Sequence, residues 1–503
     1  MNTTNIVELL NKWAMPPCIS PTLEETLRTH YPDLRLVQCF LVTLLAVVAL
    51  GGCASFSQDG GFAGIEQTAR ERLGKDVQWV KSGEQGEATA KRVDELLAAP
   101  LSVDDAVQVA LLNNKGLQAA FFELGITEAD LVQAGRLPNP RFSFGRVTRG
   151  NEIELERGVH LNLARLLAMP LISGIESRRF ERTQREATLR MLGLASETRK
   201  AYFNAVAADE TVRYLRQVQQ SAEAGAELAR RMARAGNWNK LNQAREQSFY
   251  ADAALNLARA SRMQTAARER LTRLMGAWGD QTAFKLPERL PDLPKTPQDL
   301  PNIEQTAMQQ RLDVQAARLG AEQTAKNLGL TKTTRFINVL ELGLVHNSSN
   351  QAPTQRGWEV GFELPLFDWG TARVQKAEAI YMQSLNRAAE TAVNARSEVR
   401  EAYLGYRNSF DVARHYRDEI VPLSKRISEE NVLRYNGMLI GVFELLADAR
   451  AQIASVNGYI EALRAFWLAQ SDLDMALIGK PDITSISAAA SGAGMAPAAA
   501  AAH

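Results

Sequence analysis

Apolar positions along this chain follow two periods, and the two alternate in a fixed order. Over long stretches Ala, Leu and Val recur at helical spacing, whereas over two short stretches apolar and polar residues alternate strictly, as in a half-buried strand. In the first long stretch Leu194, Ala201, Ala208, Leu215, Ala222 and Ala229 lie seven residues apart. Ala205, Val212, Ala226 and Ala233 make a second row four residues on, interrupted by Thr198 and Gln219. A later stretch repeats the device, with Ala388, Ala395 and Ala402 beside Leu385, Ala392, Val399 and Tyr406. Heptads this rich in alanine predict long helices that approach closely, as in coiled coils. No proline occurs between Pro170 and Pro287. A helix is therefore predicted from about Ser173 to Arg234, roughly 62 residues and about 93 Å at 1.5 Å per residue.

The strand signals sit just before these helices. Phe142 and Phe144 lead to a turn at Gly150-Asn151, after which Ile153, Leu155, Val159, Leu161 and Leu163 alternate with polar residues or glycine. Later, Leu340, Leu342 and Leu344 precede a polar loop from His346 to Arg356, and Trp358, Val360, Phe362 and Leu364 alternate beyond it. Helix, hairpin ending in proline, then very long helix: this order runs from about Leu101 to Gly276 and again from about Ile303 to Gly479. So long a period marks two copies of one large unit. The fold class is mainly α with a small β part and an internal two-fold repeat. The first repeat occupies residues 101–286 with its hairpin at about 141–164, and the second 303–480 with its hairpin at about 336–364. Residues 287–302, which hold five of the 18 prolines, read as a linker. The Ala-rich tail, 481–503, is low-complexity and expected to be disordered.

Charge does little to name a partner. A net charge of +1 with 23% charged residues excludes a strongly basic nucleic-acid binder. The five histidines are scattered, so no metal-ligating or triad spacing presents itself, no cofactor is implied, and an enzyme is disfavoured. All three cysteines, Cys18, Cys39 and Cys53, lie at the start of the chain. The apolar run Cys39 to Leu50 is too short to span a bilayer but suits a signal-peptide core. It runs into Leu50-Gly51-Gly52-Cys53, which resembles a bacterial lipobox, with Cys53 the lipid attachment site. Ala54 next to it resembles the pattern of lipoproteins sorted to the outer membrane. An ordinary signal peptide or a buried cysteine are the alternatives. Residues 1–52 are read as a removed extension and signal peptide, the extension as an over-long start assignment, and 53–100 as the lipidated N-terminal segment.

Several motifs in order resemble the TolC family of bacterial outer-membrane efflux proteins. They are Asn113-Asn114 through Leu117 and Ala120, then Leu137-Pro138-Asn139-Pro140, and above all Leu364-Pro365-Leu366-Phe367-Asp368-Trp369-Gly370. The counterpart of the last is Met169-Pro170-Leu171-Ile172-Ser173-Gly174. Pro170, Pro365, Asp368 and Gly370 are thus the expected strand-to-helix junctions, with Asp368 a candidate N-cap. The resemblance implies a homotrimer in which each chain gives four strands to a 12-stranded transmembrane barrel continued by a periplasmic helical tunnel. It further implies a periplasmic adaptor and an inner-membrane pump as partners, with the outer-membrane lipid around the barrel. The channel would be a passive export duct for small toxic compounds or metal ions. Pro422 and the run Phe443 to Leu446 resemble the heavy-metal branch, and Pro422 predicts a kink.

The family's periplasmic turns correspond to Arg234-Ala235-Gly236-Asn237-Trp238 and Tyr435-Asn436-Gly437-Met438. Gly236, Trp238, Tyr435 and Gly437 are candidate adaptor contacts. Six positions after each glycine, where well-known members carry aspartate, stand Asn242 and Phe443. Asn242, Phe443, Glu444 and Asp448 are the candidate gate. An apolar constriction at Phe443 would gate by dewetting, and packing in an interhelical seam is the alternative. Glu341, Glu359 and Glu363 fall opposite the apolar strand face and are candidate lumen carboxylates. A competing class is a lipid-anchored soluble periplasmic coiled-coil scaffold or adaptor without a membrane barrel.

Overall fold

The computed structural model of the chain describes residues 54–336 and 339–481, with the backbone alone at Phe443. Cys53, the apolar run before it and the tail from residue 482 lie outside the described residues. Four helices open the chain: α1 (Ala63–Leu73), α2 (Gly83–Leu97), α3 (Val103–Asn113) and α4 (Lys115–Ala134). The hairpin β1 (Arg141–Arg149) and β2 (Glu152–Asn162) follows, then α5 (Leu163–Arg234) and α6 (Lys240–Met275). The second copy contains α7 (Ile303–Gln310), α8 (Leu312–Thr334), β3 (Leu340–Ser349) and β4 (Gln355–Phe362). It ends in α9 (Thr371–His415), a π turn (Tyr416–Ile420), α10 (Val421–Asn436) and α11 (Val442–Ala476). A mainly helical chain with one small sheet is therefore what the sequence folds into.

Helix α5 runs for 72 residues, about 108 Å. It starts ten residues before the predicted Ser173. Asn162 caps it, its Oδ1 accepting the Arg165 N–H at 2.8 Å. Pro170 consequently lies inside the helix and is not a strand-to-helix junction. At the eighth helical position its missing N–H removes the bond the Leu166 carbonyl would otherwise accept. The heptad seam packs as its spacing requires: Ala201, Ala205, Val212, Ala222, Ala226 and Ala229 are buried, as are Ala395, Val399, Ala402 and Tyr406. Leu385, nearer the sheet, remains 44% exposed.

The two copies break their first helix pair at equivalent points. Asn114 ends α3 and starts α4, while Arg311 ends α7 and starts α8, with nearly the same backbone angles (φ −66°, ψ 115° and φ −65°, ψ 120°). Each side chain then donates to the last turn of its copy's final helix. Asn114 Nδ2 reaches Leu274 O at 2.9 Å, and Arg311 Nη1 reaches Ala476 O at 3.3 Å. Arg311 is 1% exposed and its Nη2 meets both Asp313 Oδ2 and Glu398 Oε2 at 2.6 Å.

The proline-rich segment is more than a linker. Leu290 and Leu293 are buried in the main core. The Leu290 N–H donates to Glu210 Oε2, the Gln298 N–H to the Tyr406 hydroxyl, and Trp467 Nε1 to Pro291 O. It straps α5, α9 and α11 together. Burial raises the pKa of the Glu210 carboxyl, and the Leu290 N–H opposes that rise.

Replacing Arg311 with Leu strands two partly buried carboxylates and should destabilise the fold by about 3–5 kcal/mol. Asn114→Ala removes a cap and should cost about 1 kcal/mol. Urea unfolding followed by far-UV circular dichroism checks both; equal, small losses would show that Arg311 is no pin.

Candidate functional site

The sheet has the order β1-β2-β3-β4, antiparallel throughout, and the β2–β3 pairing joins the two copies. The predicted loop from His346 to Arg356 is shorter than expected. β3 continues to Ser349 and β4 begins at Gln355, because polar residues extend a ladder readily when their backbone finds a partner. The register puts Phe142, Val159, Leu344 and Trp358 in one row and Leu161, Leu342 and Val360 in the next, on one face. This face is bare. Phe142 is 74% exposed, Trp358 74%, and Phe367 beyond β4 99%. Every residue of β4 is exposed, and β1 and β4 each leave one edge of the sheet unpaired.

The opposite face is polar and internally bonded. Glu341 Oε2 receives Arg141 Nη2 at 2.8 Å, and Glu359 Oε1 lies 2.9 Å from His160 Nδ1. The His160 ring crosses over Gly343, where a Cβ would come within 2.8 Å of Nδ1. Two of the three carboxylates chosen from sequence are therefore paired, and Glu363 lies just past the end of β4. Sequence reasoning missed Glu154 and Glu156, which share this face with them. Their alternation with Ile153 and Leu155 was the signal.

At the second junction Asp368 does not cap a helix. Its Oδ1 accepts the Gly370 N–H at 2.8 Å, holding the turn, and Gly370 itself is the N-cap. Gly370 has φ +70°, and a Cβ there would sit 2.9 Å from Arg335 O. Only glycine satisfies both conditions. Pro365 lies in the extended turn before it. Residues Ala54 and Ser57 lie at the same end of the molecule. Ser57 N and Oγ both donate to Glu128 Oε1, and Ala54 packs on Gly135, one residue past the end of α4.

At the far ends of the long helices the two turns carry the same hydrogen bonds. Ala235, Gly236 and Asn237 N–H groups donate to Arg231, Ala233 and Met232, and those of Gly437, Met438 and Leu439 donate to Leu433, Tyr435 and Arg434. This pairs Gly236 with Met438, and the helix N-caps Asn239 and Gly441 with each other. Asn242 is thus the counterpart of Glu444, not of Phe443. Matching glycine to glycine misplaced the second turn by one residue. Gly437 has φ −80°, and Met438 takes the left-handed conformation at φ +60°. Trp238 is half-buried and Tyr435 38% exposed.

Close by, Glu246 on α6 is 1% exposed and binds Arg450 Nη2 of α11 at 2.5 Å. The Arg450 guanidinium also lies over the Phe249 ring, 4.4 Å from its centre. Asp448 Oδ2 and Arg450 Nε are buried without a hydrogen-bond partner among the described residues. Sequence reasoning passed over Glu246, although it falls opposite Asp448 in the corrected register. Asn242 is half-buried, Glu444 is exposed, and the Phe443 side chain is outside the described residues. Pro422 stands two residues past the π turn, with Val421 between them. Proline cannot supply the N–H that the Asp418 carbonyl would take in a regular helix, and the helix departs from regular geometry just before it. Tyr416 of that turn packs against Gly458.

No helix among the described residues is long and apolar enough to cross a membrane. No group of three or more His, Cys, Asp or Glu that could hold a metal ion occurs among them. The architecture has well-defined counterparts. The open-state MtrE outer membrane channel of Neisseria gonorrhoeae aligns with TM-score 0.63 and 20% identity, covering 75% of this chain and 89% of that one. The CmeC outer membrane channel of Campylobacter jejuni aligns with TM-score 0.62 and 19% identity, over 75% and 85%. This is the fold of the outer-membrane channels. The sequence resemblance to the TolC family is borne out at the level of that fold. No protein-family model matches the chain. The cobalt-zinc-cadmium resistance protein CzcC of Cupriavidus metallidurans is 26% identical over 281 residues, 54% of this chain. The chain spans 64% of the length of that curated relative.

Met438 sits where the first copy has glycine, so Met438→Gly should relieve strain and stabilise the second turn by about 1 kcal/mol. Hydrogen exchange of the turn amides reads this locally. Faster exchange in the variant would show that the methionine is unstrained.

Proposed function

We propose that three copies of this chain form an outer-membrane channel, a passive duct that exports small toxic compounds or metal ions. The observation that carries the reading is the sheet: its apolar face is uncovered and both of its edges are open, on a fold shared with outer-membrane channels. Strand edges in hydrocarbon must be paired, so a four-stranded sheet needs further copies to close. Pairing β1 of one copy with β4 of the next gives a barrel of about twelve strands, with the polar face inward. The position of Ala54 at the sheet end of α4 supports a lipid anchor at Cys53. The relative's link to cobalt, zinc and cadmium favours metal ions among the cargo.

An inner-membrane pump drives transport in this reading, and a periplasmic adaptor joins the pump to the channel. The adaptor seats on the turns around Gly236, Trp238, Tyr435, Gly437 and Met438. The gate lies just inside them, where Asn242 and Glu444 stand at equivalent positions, with Phe443 and Asp448 adjacent on α11. The Glu246–Arg450 contact ties the two helix pairs together at this level.

Planar-bilayer recording of the purified full-length protein tests the reading. Stepwise conductance is expected, whereas a coiled-coil scaffold gives none. The lumen face carries Glu152, Glu154, Glu156, Glu341 and Glu359 against the guanidinium groups of Arg141 and Arg149. Reversal potentials in a salt gradient should therefore show a modest cation preference; anion preference would sink that assignment.

Intact mass of the membrane-extracted chain should fit a lipidated N-terminus at Cys53. A mature chain retaining residues 1–52 would rule the anchor out.

A further inference from the structure

The outward face of the sheet carries a charge pattern that a duct alone does not require. One row of the register places Phe144, Arg157, His346 and Arg356 side by side, one on each strand. Arg146 stands in the next row toward the turns. Because side chains alternate along a strand, Arg146, Arg157, His346 and Arg356 share the face of Phe142, Leu344 and Trp358. That face has no carboxylate anywhere on the four strands; all of their acidic residues lie on the other side. Arg146, Arg157 and Arg356 are exposed, and none forms a hydrogen bond or ion pair with a described residue. Arg141, on the inner face, is bonded to Glu341.

Closing the barrel does not change this, since each added copy contributes the same face and brings no acid to it. An arginine facing lipid is costly at the bilayer midplane and nearly free at the interface. The row therefore marks the headgroup level. It lies on the turn side of the Phe142 and Leu161 rows, away from the helices, with only Leu155 and Ile153 of β2 as apolar residues beyond it, and hence in the outer leaflet if the helices are periplasmic. Neighbouring strands are about 5 Å apart, so Arg157 and Arg356 flank His346 across about 10 Å. Guanidinium forks match phosphate oxygens two at a time.

Resting on the channel reading above, we infer that Arg146, Arg157 and Arg356, with His346 among them, form an external belt that binds the phosphate groups of outer-leaflet lipid headgroups. Native mass spectrometry of the full-length trimer tests this, with micelles doped in turn with diphosphoryl lipid A, monophosphoryl lipid A or phosphatidylcholine. Retention should fall in that order. The triple variant R146Q/R157Q/R356Q should lose at least about tenfold of the diphosphoryl binding, and the triple Lys variant should lose less, since lysine keeps the charge without the fork. Arg141→Gln should change nothing. Retention that ignores phosphate number, or a Gln variant that holds lipid like the parent, would overturn the belt. So would displacement of the lipid by millimolar inorganic phosphate, which would mark a plain anion site. Bilayer conductance of the same samples separates the two failures. A parent without conductance defeats the channel reading, whereas conductance without phosphate-dependent lipid defeats the belt alone.

Discussion

A β-sheet that leaves both edges unpaired and one apolar face bare cannot be a finished structure, and the rest of this molecule is arranged around that incompleteness. The edges of β1 and β4 present unpaired backbone groups, and no helix among the described residues covers Phe142, Leu344 or Trp358. In water such a sheet would aggregate. In hydrocarbon it is acceptable only when closed. The cost of ordering it falls on the helical part, which has hydrophobic cores of its own and fixes both hairpins at one end. Helix and sheet thus divide the work: the helices hold the chain together, and in the proposed channel the sheet is the part that would pair with further copies and face lipid.

Within the helical part, the duplication keeps geometry while changing chemistry. Asn114 and Arg311 break their helices at the same backbone angles and both donate to the end of the copy's last helix. The asparagine does so with a neutral amide that also caps the helix it begins. The arginine needs Asp313 and Glu398 to balance a charge that is almost wholly buried. A buried charge is tolerable when every donor is answered and damaging when one partner is removed. Equivalent places in the two copies therefore differ in how sharply they respond to substitution.

The period-two and heptad patterns carry most of this fold because each reports one local geometry. The hairpins, the long helices and the internal duplication were legible for that reason. Boundaries set by non-local contacts were not. Pro170 looked like a junction, yet Asn162 offered an earlier cap and the helix began there. The proline-rich segment looked like a spacer until Leu290 and Leu293 found a core to enter. The carboxylates were placed on the correct face by alternation, but their partners Arg141 and His160 come from the other hairpin, roughly 200 residues away in sequence, and no local pattern announces them. The gate register failed for a related reason. Glycine usually marks the left-handed residue of a turn, and here methionine holds that position in the second copy.

The two turns are not mechanically equal, and this decides where motion is easiest. The first is built at the end of an unbroken helix whose small residues stay buried as far as Ala229, and Asn239 caps the return helix through the Asn242 N–H. The second follows a π turn and a proline, belongs to a helix with no buried residue, turns through a strained methionine, and returns through Gly441 with no side-chain cap. Few buried contacts and missing caps lower the free energy of local opening. Glu246 and Arg450 then acquire a specific role, since they fasten α11 of the weaker pair to α6 of the firmer one. Glu246 is only 1% exposed, so separating the pairs exposes its carboxylate to water or leaves it buried without this guanidinium. A channel whose ends open by loosening its second helix pair would have to break or carry along this one contact.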